Sequence, residues 1–285
     1  MPVVPPSSQA PAQRSASAVP RLSVTVITHN EAGRLATCLA SVGFADELIV
    51  VDSGSTDGTA ELARRLGARV IVTPDWPGFG AQKQRALAAA TGHWVLSLDA
   101  DEWIDDALAA AIRSVLATCD AAGPPAAQPA GYQINRMSAF CGQWMRAGSW
   151  HPDLGVRLFQ RSRARFSDDL VHERLLLDGP AGRLPGLLLH NSITTLHEGI
   201  DKMNRYSSGR AADLQARGRR GGLARAIGHG SWAFVRAYLL RRGFLDGRLG
   251  FVLATLDAQA SYTRYLKLGL LQTPVPHALQ HPNQR

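Results

Sequence analysis

Leu22–Thr28 reads LSVTVIT, the polar residues His29, Asn30 and Glu31 follow, and then comes AGRLATCLASV, Ala32–Val42. Uncharged residues rich in β-branched side chains predict a strand, and the apolar spacing of the next segment predicts a helix. The unit repeats. ELIVVD, Glu47–Asp52, reads as a strand, SGSTDGT as a turn, and AELARRLG as a helix closed by Gly67. ARVIVT predicts a third strand, AQKQRALAAA after Gly80 a helix, and HWVLSL, His93–Leu98, a fourth strand. Strands alternating with helices of this length define an α/β chain with a Rossmann-like, mostly parallel sheet flanked by helices.

Ligands of such sheets bind beyond the carboxyl ends of the strands. Asn30 and Glu31 follow the first strand, Asp52 ends the second and Asp99 follows the fourth. In LSLDADE, Leu96–Glu102, only Ala100 separates Asp99 from Asp101. Carboxylates flanking one residue at a strand end can point into one crevice, where a hard divalent cation bridging phosphate oxygens takes oxygen ligands. Each cluster also has a plainer reading. Asp52 is a turn former in DSGSTDGT, Ser55 and Asp57 are helix caps, and Asp105 and Asp106 begin the helix DDALAAAIRSVLA. Their convergence on one sheet edge favours a nucleotide diphosphate ligand.

After the helix of residues 105–119 the sequence DAAGPPAAQPA predicts a loop. GYQINRMSAF, LGVRLFQ and GRLPGLLLH then predict a second, mixed or antiparallel part of the sheet, the far wall of the cleft. From about Ile200 onward the chain reads as helical. This divides it into a disordered Pro-, Ser- and Ala-rich tail at 1–20, a sheet domain at 21–197 and a helical extension at 198–285.

Three widely spaced cysteines, Cys38, Cys119 and Cys141, suggest neither a disulfide framework nor a structural zinc site, and fit a reducing compartment. No stretch is apolar for the ~18 residues of a spanning helix, so membrane contact is expected to be peripheral. The net charge of +8 is uneven. Residues 201–285 carry 14 Lys and Arg against 4 Asp and Glu, while the rest of the chain is near neutral. Around Gly230 to Leu271, aromatic and aliphatic residues alternate with Arg236, Arg241, Arg242 and Arg248. That pattern suits an element at an anionic membrane surface, or a helical pair packed on the rest of the chain or on another subunit.

Residues 22 to about 197 resemble the family 2 glycosyltransferases, which have the GT-A fold. VTVITHNE, ELIVVDSGSTDGT, KQRALAAATGHWVLSLDADE and VHE at Val171–Glu173 carry the resemblance, in order. SWHPDLGVRLFQR, FSDDLVHERL and RRGFLDGRLGF are similar to the lipopolysaccharide core β-1,4-glucosyltransferases. The resemblance implies an inverting, metal-dependent transferase that moves a hexose, glucose from UDP-glucose, to a lipopolysaccharide inner-core sugar or similar glycolipid. It would be cytoplasmic, and peripheral on the cytoplasmic face of the inner membrane.

The resemblance also implies roles. Thr28, Asn30, Glu31 and Asp52 fall where the family holds the nucleoside, and Lys83 with Gln84 where it often has Arg-Asn, which suits Lys83 to a phosphate. Asp99 and Asp101 match the DxD pair that holds Mg2+ or Mn2+, Asp101 being the direct ligand, with His190 as a further ligand and His197 as its competitor. Glu173 matches the acidic base, with Asp169 and Asp153 behind it and Asp168 beside them. Trp150 and His151 suit an acceptor-binding wall, although Trp150 is equally suited to packing; Arg157 either reaches the diphosphate or braces its strand.

Other classes fit less well. Transfer to a polyprenyl phosphate is disfavoured by the lack of spanning helices. A sugar nucleotidylyltransferase would carry a glycine-rich phosphate loop with a basic residue after the first strand, where this chain has THNEAGRL. A nucleic-acid-binding protein would leave Asp52, Asp99 and Asp101 unexplained, so no nucleic-acid partner is expected.

Overall fold

A computed structural model describes residues 20–119, 124, 127–167 and 174–273. Residues 1–19 of the expected tail, Asp168, Asp169 and Glu173 lie outside the described residues.

The first half alternates as expected: β1 (Leu22–Thr28), α1 (Ala32–Ser41), β2 (Glu47–Asp52), α2 (Thr59–Arg65), β3 (Arg69–Val72), α3 (Phe79–Ala89) and β4 (Trp94–Asp99). A short strand β5 (Glu102–Ile104) and α4 (Asp106–Ala117) follow. The second half holds β6 (Gly131–Phe140), β7 (Gln143–Trp144), β8 (Asp153–Gln160), β9 (Ala164–Phe166), β10 (Leu175–Leu177) and β11 (Ala181–Ile193). Three helices complete it: α5 (Leu196–Ala216), α6 (Leu223–Phe234) and α7 (Gly247–Leu271). A π-helical stretch, Val235–Leu240, and a 3-10 turn, Gly243–Asp246, join the last two.

The main sheet runs β3-β2-β1-β4-β8-β6-β11-β5, with β7 on β6. Its first four strands are parallel, β8 is antiparallel to both neighbours, β6 and β11 are parallel and β5 closes the edge antiparallel. The α/β expectation therefore holds, including the mixed far wall.

Side chains alternate across the sheet. Leu22, Val24 and Val26 pack with Leu35, Leu98, Leu108 and Ile112 on the face covered by α1 and α4, while Ile27, Ile49 and Val95 pack with Ala86 and Leu87 of α3 on the other. Both faces are buried, so these strands lack an exposed polar side, and Ser23, Thr25 and Ser97 are buried with the rest. The register places Thr28 opposite Asp52 and Ile27 opposite Asp99, which sets the three carboxyl ends side by side.

Local chemistry sets the ends of the elements. Asp105 caps α4 by accepting from Leu108 N at 2.7 Å, the role expected for it. Thr195 caps α5 by accepting from Glu198 N at 3.2 Å, while Glu198 accepts from Thr194 N at 2.8 Å, a variant of the reciprocal N-terminal box. At Gly186, with φ +91°, β11 shifts register, and a Cβ there would stand 2.3 Å from Leu108 N. Only glycine lets β11 lie this close to α4.

The helical extension is docked on the sheet. Phe140, Met145 and Ile193 form an apolar cluster with Leu253 and Leu256 of α7. Asp246 is buried, and its carboxylate accepts from Arg146 N at 3.0 Å and Ala147 N at 2.9 Å. Ser149 Oγ donates to Asp257, whose carboxyl is pushed up by burial against that bond.

Candidate functional site

Four polar clusters meet at the carboxyl edge of the parallel strands. The loop after β1 turns at Asn30, whose φ of 57° is left-handed, a conformation asparagine tolerates better than most residues. Asn30 N donates to Ser55 Oγ at 2.8 Å, Asn30 Oδ1 accepts from Thr56 N at 2.8 Å, and Glu31 N donates to Thr59 Oγ1 at 2.9 Å. The loops after β1 and β2 are thus bonded to each other.

Asp52 is buried, and its carboxylate accepts from Gly54 N at 3.1 Å, from Ser55 N at 2.9 Å and from Ser55 Oγ. The turn-forming role is the one these bonds describe. Thr28 is also buried, and its Oγ1 has no hydrogen-bond partner among the described residues. Burial raises the Glu31 carboxyl; Arg34 opposes that rise and the Asp101 charge adds to it.

Lys83 lies on the inner face of α3 and is almost fully buried, not a solvated helix lysine. Its Nζ is 3.1 Å from Asp99 Oδ1. Arg157 of β8 approaches the other Asp99 oxygen at 3.6 Å and Glu102 Oε1 at 2.8 Å. Burial would raise the Asp99 carboxyl, but the Lys83 ammonium and the Arg157 guanidinium outweigh it and hold the group well below the usual carboxylate range. Gln84 serves the fold instead, accepting from Phe166 N at 2.9 Å.

Glu102 escaped the sequence reading. It is wholly buried, accepts from Asp99 N at 2.9 Å and from Arg157 at 2.8 Å, and pairs with Arg136 at 3.2 Å. Arg136 in turn holds Asp153 at 2.7 Å. Glu102 sits in β5, so its side chain is aimed by pairing with β11, where it stands opposite His190.

Asp101 and His190 come together, Oδ2 to Nε2 at 3.3 Å, and Asn191 N donates to the Asp101 carbonyl at 3.1 Å. His197, the competing histidine, is exposed on α5 beside Asp201 at 3.4 Å. Asp99 does not join the pair, and among the described residues no three His, Cys, Asp or Glu side chains cluster as a complete metal site. A carboxylate oxygen with an imidazole nitrogen is nonetheless a donor set that Mg2+ or Mn2+ accepts when phosphate oxygens complete the shell.

The remaining expected residues separate. Trp150 meets Phe140 edge to face at 5.9 Å and packs against the α7 cluster. His151 Nδ1 is buried without a hydrogen-bond partner among the described residues. Asp153 is occupied by Arg136.

Residues 23–161 match the family model described as glycosyl transferase family 2. A protein of Rickettsia typhi described as an uncharacterized glycosyltransferase is 32% identical over 259 residues, covering 87% of this chain and 86% of its own. The lipopolysaccharide core biosynthesis glycosyltransferase LpsC of Rhizobium meliloti is 30% identical over 258 residues, covering 86% of this chain and 93% of its own. Among solved structures, that of S. aureus TarS 1-349 in complex with UDP-GlcNAc shares 15% identity, with a TM-score of 0.44 over 85% of this chain and 80% of that one. The α/β fold and these relatives define the class of the protein as a glycosyltransferase. The chain belongs to glycosyl transferase family 2.

Proposed function

We propose that the chain transfers glucose from UDP-glucose, with inversion and with a divalent cation, to a lipopolysaccharide inner-core sugar or a similar glycolipid at a membrane surface. One observation carries the reading: the Asp101–His190 pair, 3.3 Å across, lies in the same site as Asp99, which Lys83 approaches at 3.1 Å. An anionic diphosphate meets buried positive charge and a cation anchor in one place.

Lys83 and Arg157 exchange part of their contact with Asp99 for the phosphate oxygens, Arg157 with the planar fork that suits them. Glu102 keeps Arg157 aimed. Thr28 and Asn30 meet the nucleoside at the ends of β1 and its loop. A cation bound by Asp101 and His190 would neutralise the departing diphosphate. Glu173 takes the proton from the acceptor hydroxyl as the anomeric carbon gains oxocarbenium character. Asp153 is the weaker choice of base because Arg136 bonds it twice; Asp169, like Glu173, belongs to the segment outside the described residues. The acceptor class is supported by LpsC, which is named for lipopolysaccharide core biosynthesis.

Calorimetric titration with a panel of nucleotide sugars, with and without Mn2+, tests the reading. Cation-dependent binding of UDP-glucose, lost in Asp101→Ala, is expected. Failure of every UDP-sugar to bind, or equal binding without the cation and in the variant, would sink it.

A further inference from the structure

The junction of α6 and α7 carries large apolar side chains that nothing in the described structure covers. Trp232, Leu239, Leu240, Phe244, Leu245 and Phe251 are each 46–66% exposed. Tyr238 joins two of them, its ring lying 6.2 Å from Phe244 and 5.5 Å from Phe251. The opposite side of α7 is the one that packs Leu253 and Leu256 on the sheet, so this exposure is not a fraying end. Beside Arg248 a shallow depression of about 480 Å3 is lined by Tyr238, Phe251 and Val252.

The exposed charge along this stretch of chain has one sign. Between Leu223 and Phe251 the charged residues are five arginines and Asp246. Asp246 is buried and spent on the backbone of Arg146 and Ala147, whereas Arg225, Arg236, Arg241, Arg242 and Arg248 are exposed. Asp257, next to Arg236 and Arg241, is half-buried and bonded by Ser149, so the exposed charge of this stretch is cationic. An apolar patch with an exposed cationic fringe matches an interface of hydrocarbon below anionic headgroups. A second copy fits it poorly, since a twofold contact would set the arginine fringe against itself. No described helix is long and apolar enough to cross a membrane, so contact would be from the surface.

We propose that the junction from Trp232 to Phe251 docks on an anionic lipid bilayer, with Leu239, Leu245 and Phe251 among the acyl chains and Arg241, Arg242 and Arg248 at the phosphates. The docked surface adjoins the sheet domain where Gly148 N bonds Arg241 O at 2.8 Å, next to the segment that leads into β8. The inference deepens the proposed reading, on which it rests for a membrane setting, by naming the surface that docks; vesicle binding and UDP-glucose binding are read separately, so either can fail alone.

Flotation of the full chain with vesicles of phosphatidylcholine alone, or of equimolar phosphatidylcholine and phosphatidylglycerol, tests it directly. Binding to the anionic vesicles alone is expected, weakening as salt screens the headgroups. The pair Leu239→Glu with Leu245→Glu should lower partition at least about tenfold, and Arg241→Gln with Arg242→Gln should remove most of the preference for phosphatidylglycerol. Both variants should keep the wild-type Tm and UDP-glucose binding, which separates a lost surface from a lost fold. Equal partition of wild type and variants, or absence of wild-type binding, overturns the proposal. So does a wild-type dimer in light scattering that the leucine variant converts to monomer without vesicle binding by either.

Discussion

Ser138 Oγ lies 2.9 Å from His190 Nδ1, and the other ring nitrogen is the one that faces Asp101 at 3.3 Å. A partner at Nδ1 holds the ring, and with Nδ1–H donating to the hydroxyl, Nε2 is left for a cation. Ser138→Ala should weaken Mn2+ binding by about 10–100-fold with little change in Tm. Titration of Mn2+ in the presence of UDP reads the effect; unchanged affinity would remove His190 from the cation site.

Thr28 Oγ1 is buried with no hydrogen-bond partner among the described residues. Removing an unsatisfied hydroxyl at constant shape should be neutral or stabilising, while a hydroxyl that meets the nucleoside is worth about 0.5–1.5 kcal/mol. Thr28→Val should therefore hold or raise Tm and loosen UDP binding by about 2–10-fold. Loss of stability with unchanged UDP affinity would show the opposite role.

Glu102 is a fully buried carboxylate shared by Arg157 and Arg136. Glu102→Ala leaves two guanidinium groups without it, at a cost of about 3–5 kcal/mol. Urea unfolding should show that loss. Glu102→Gln should fold better and bind UDP-glucose less tightly, because Arg157 is no longer held in place.

Glu198 shows how pH enters. Burial would raise its carboxyl, but hydrogen bonds from Thr194 and the Lys202 charge bring it down to about 2. A depressed carboxylate stabilises the fold fully above its ordinary value and loses that contribution as pH falls toward about 2. Glu198→Gln should thus lower Tm by a few degrees near neutral pH, on the order of 1 kcal/mol for a charge-assisted cap. The gap from wild type should narrow steadily as scans move from pH 5 to pH 2; a constant gap would assign the loss to packing.

Glu173→Gln should leave UDP-glucose binding intact and cut kcat by about 10²–10⁴-fold, the range of a positioned general base. Full turnover would transfer that role to Asp169 or Asp153.

The parallel half of the fold could be read from the chain because its strands are short β-branched runs, each ended by a polar turn and followed by a helix with apolar spacing. β5 could not: three residues wedged between Asp101 and the α4 cap carry no period of their own, and only pairing with β11 makes them a strand. Glu102 went unseen for that reason, since an acid after DAD looks like part of the same exposed cluster until β5 turns it inward. The sequence suits Lys83 to a phosphate, but its burial and its contact with Asp99 could not be read there, because they depend on how α3 lies across β1 and β2. His190 and His197 differ only by the residue at which β11 ends and α5 begins. The π-helical stretch at Val235–Leu240 has no signature in the sequence.

The hydrogen bonds from Asn30, Glu31 and Ala32 to Ser55, Thr59 and Asp57 make the loops after β1 and β2 a single stitched unit. That end of the crevice is therefore shaped when the polypeptide folds, and little ordering is left for an incoming ligand to impose. On the proposed reading, any discrimination between bases would follow from the integrity of this unit, and damage to the α2 end would blur it from a distance.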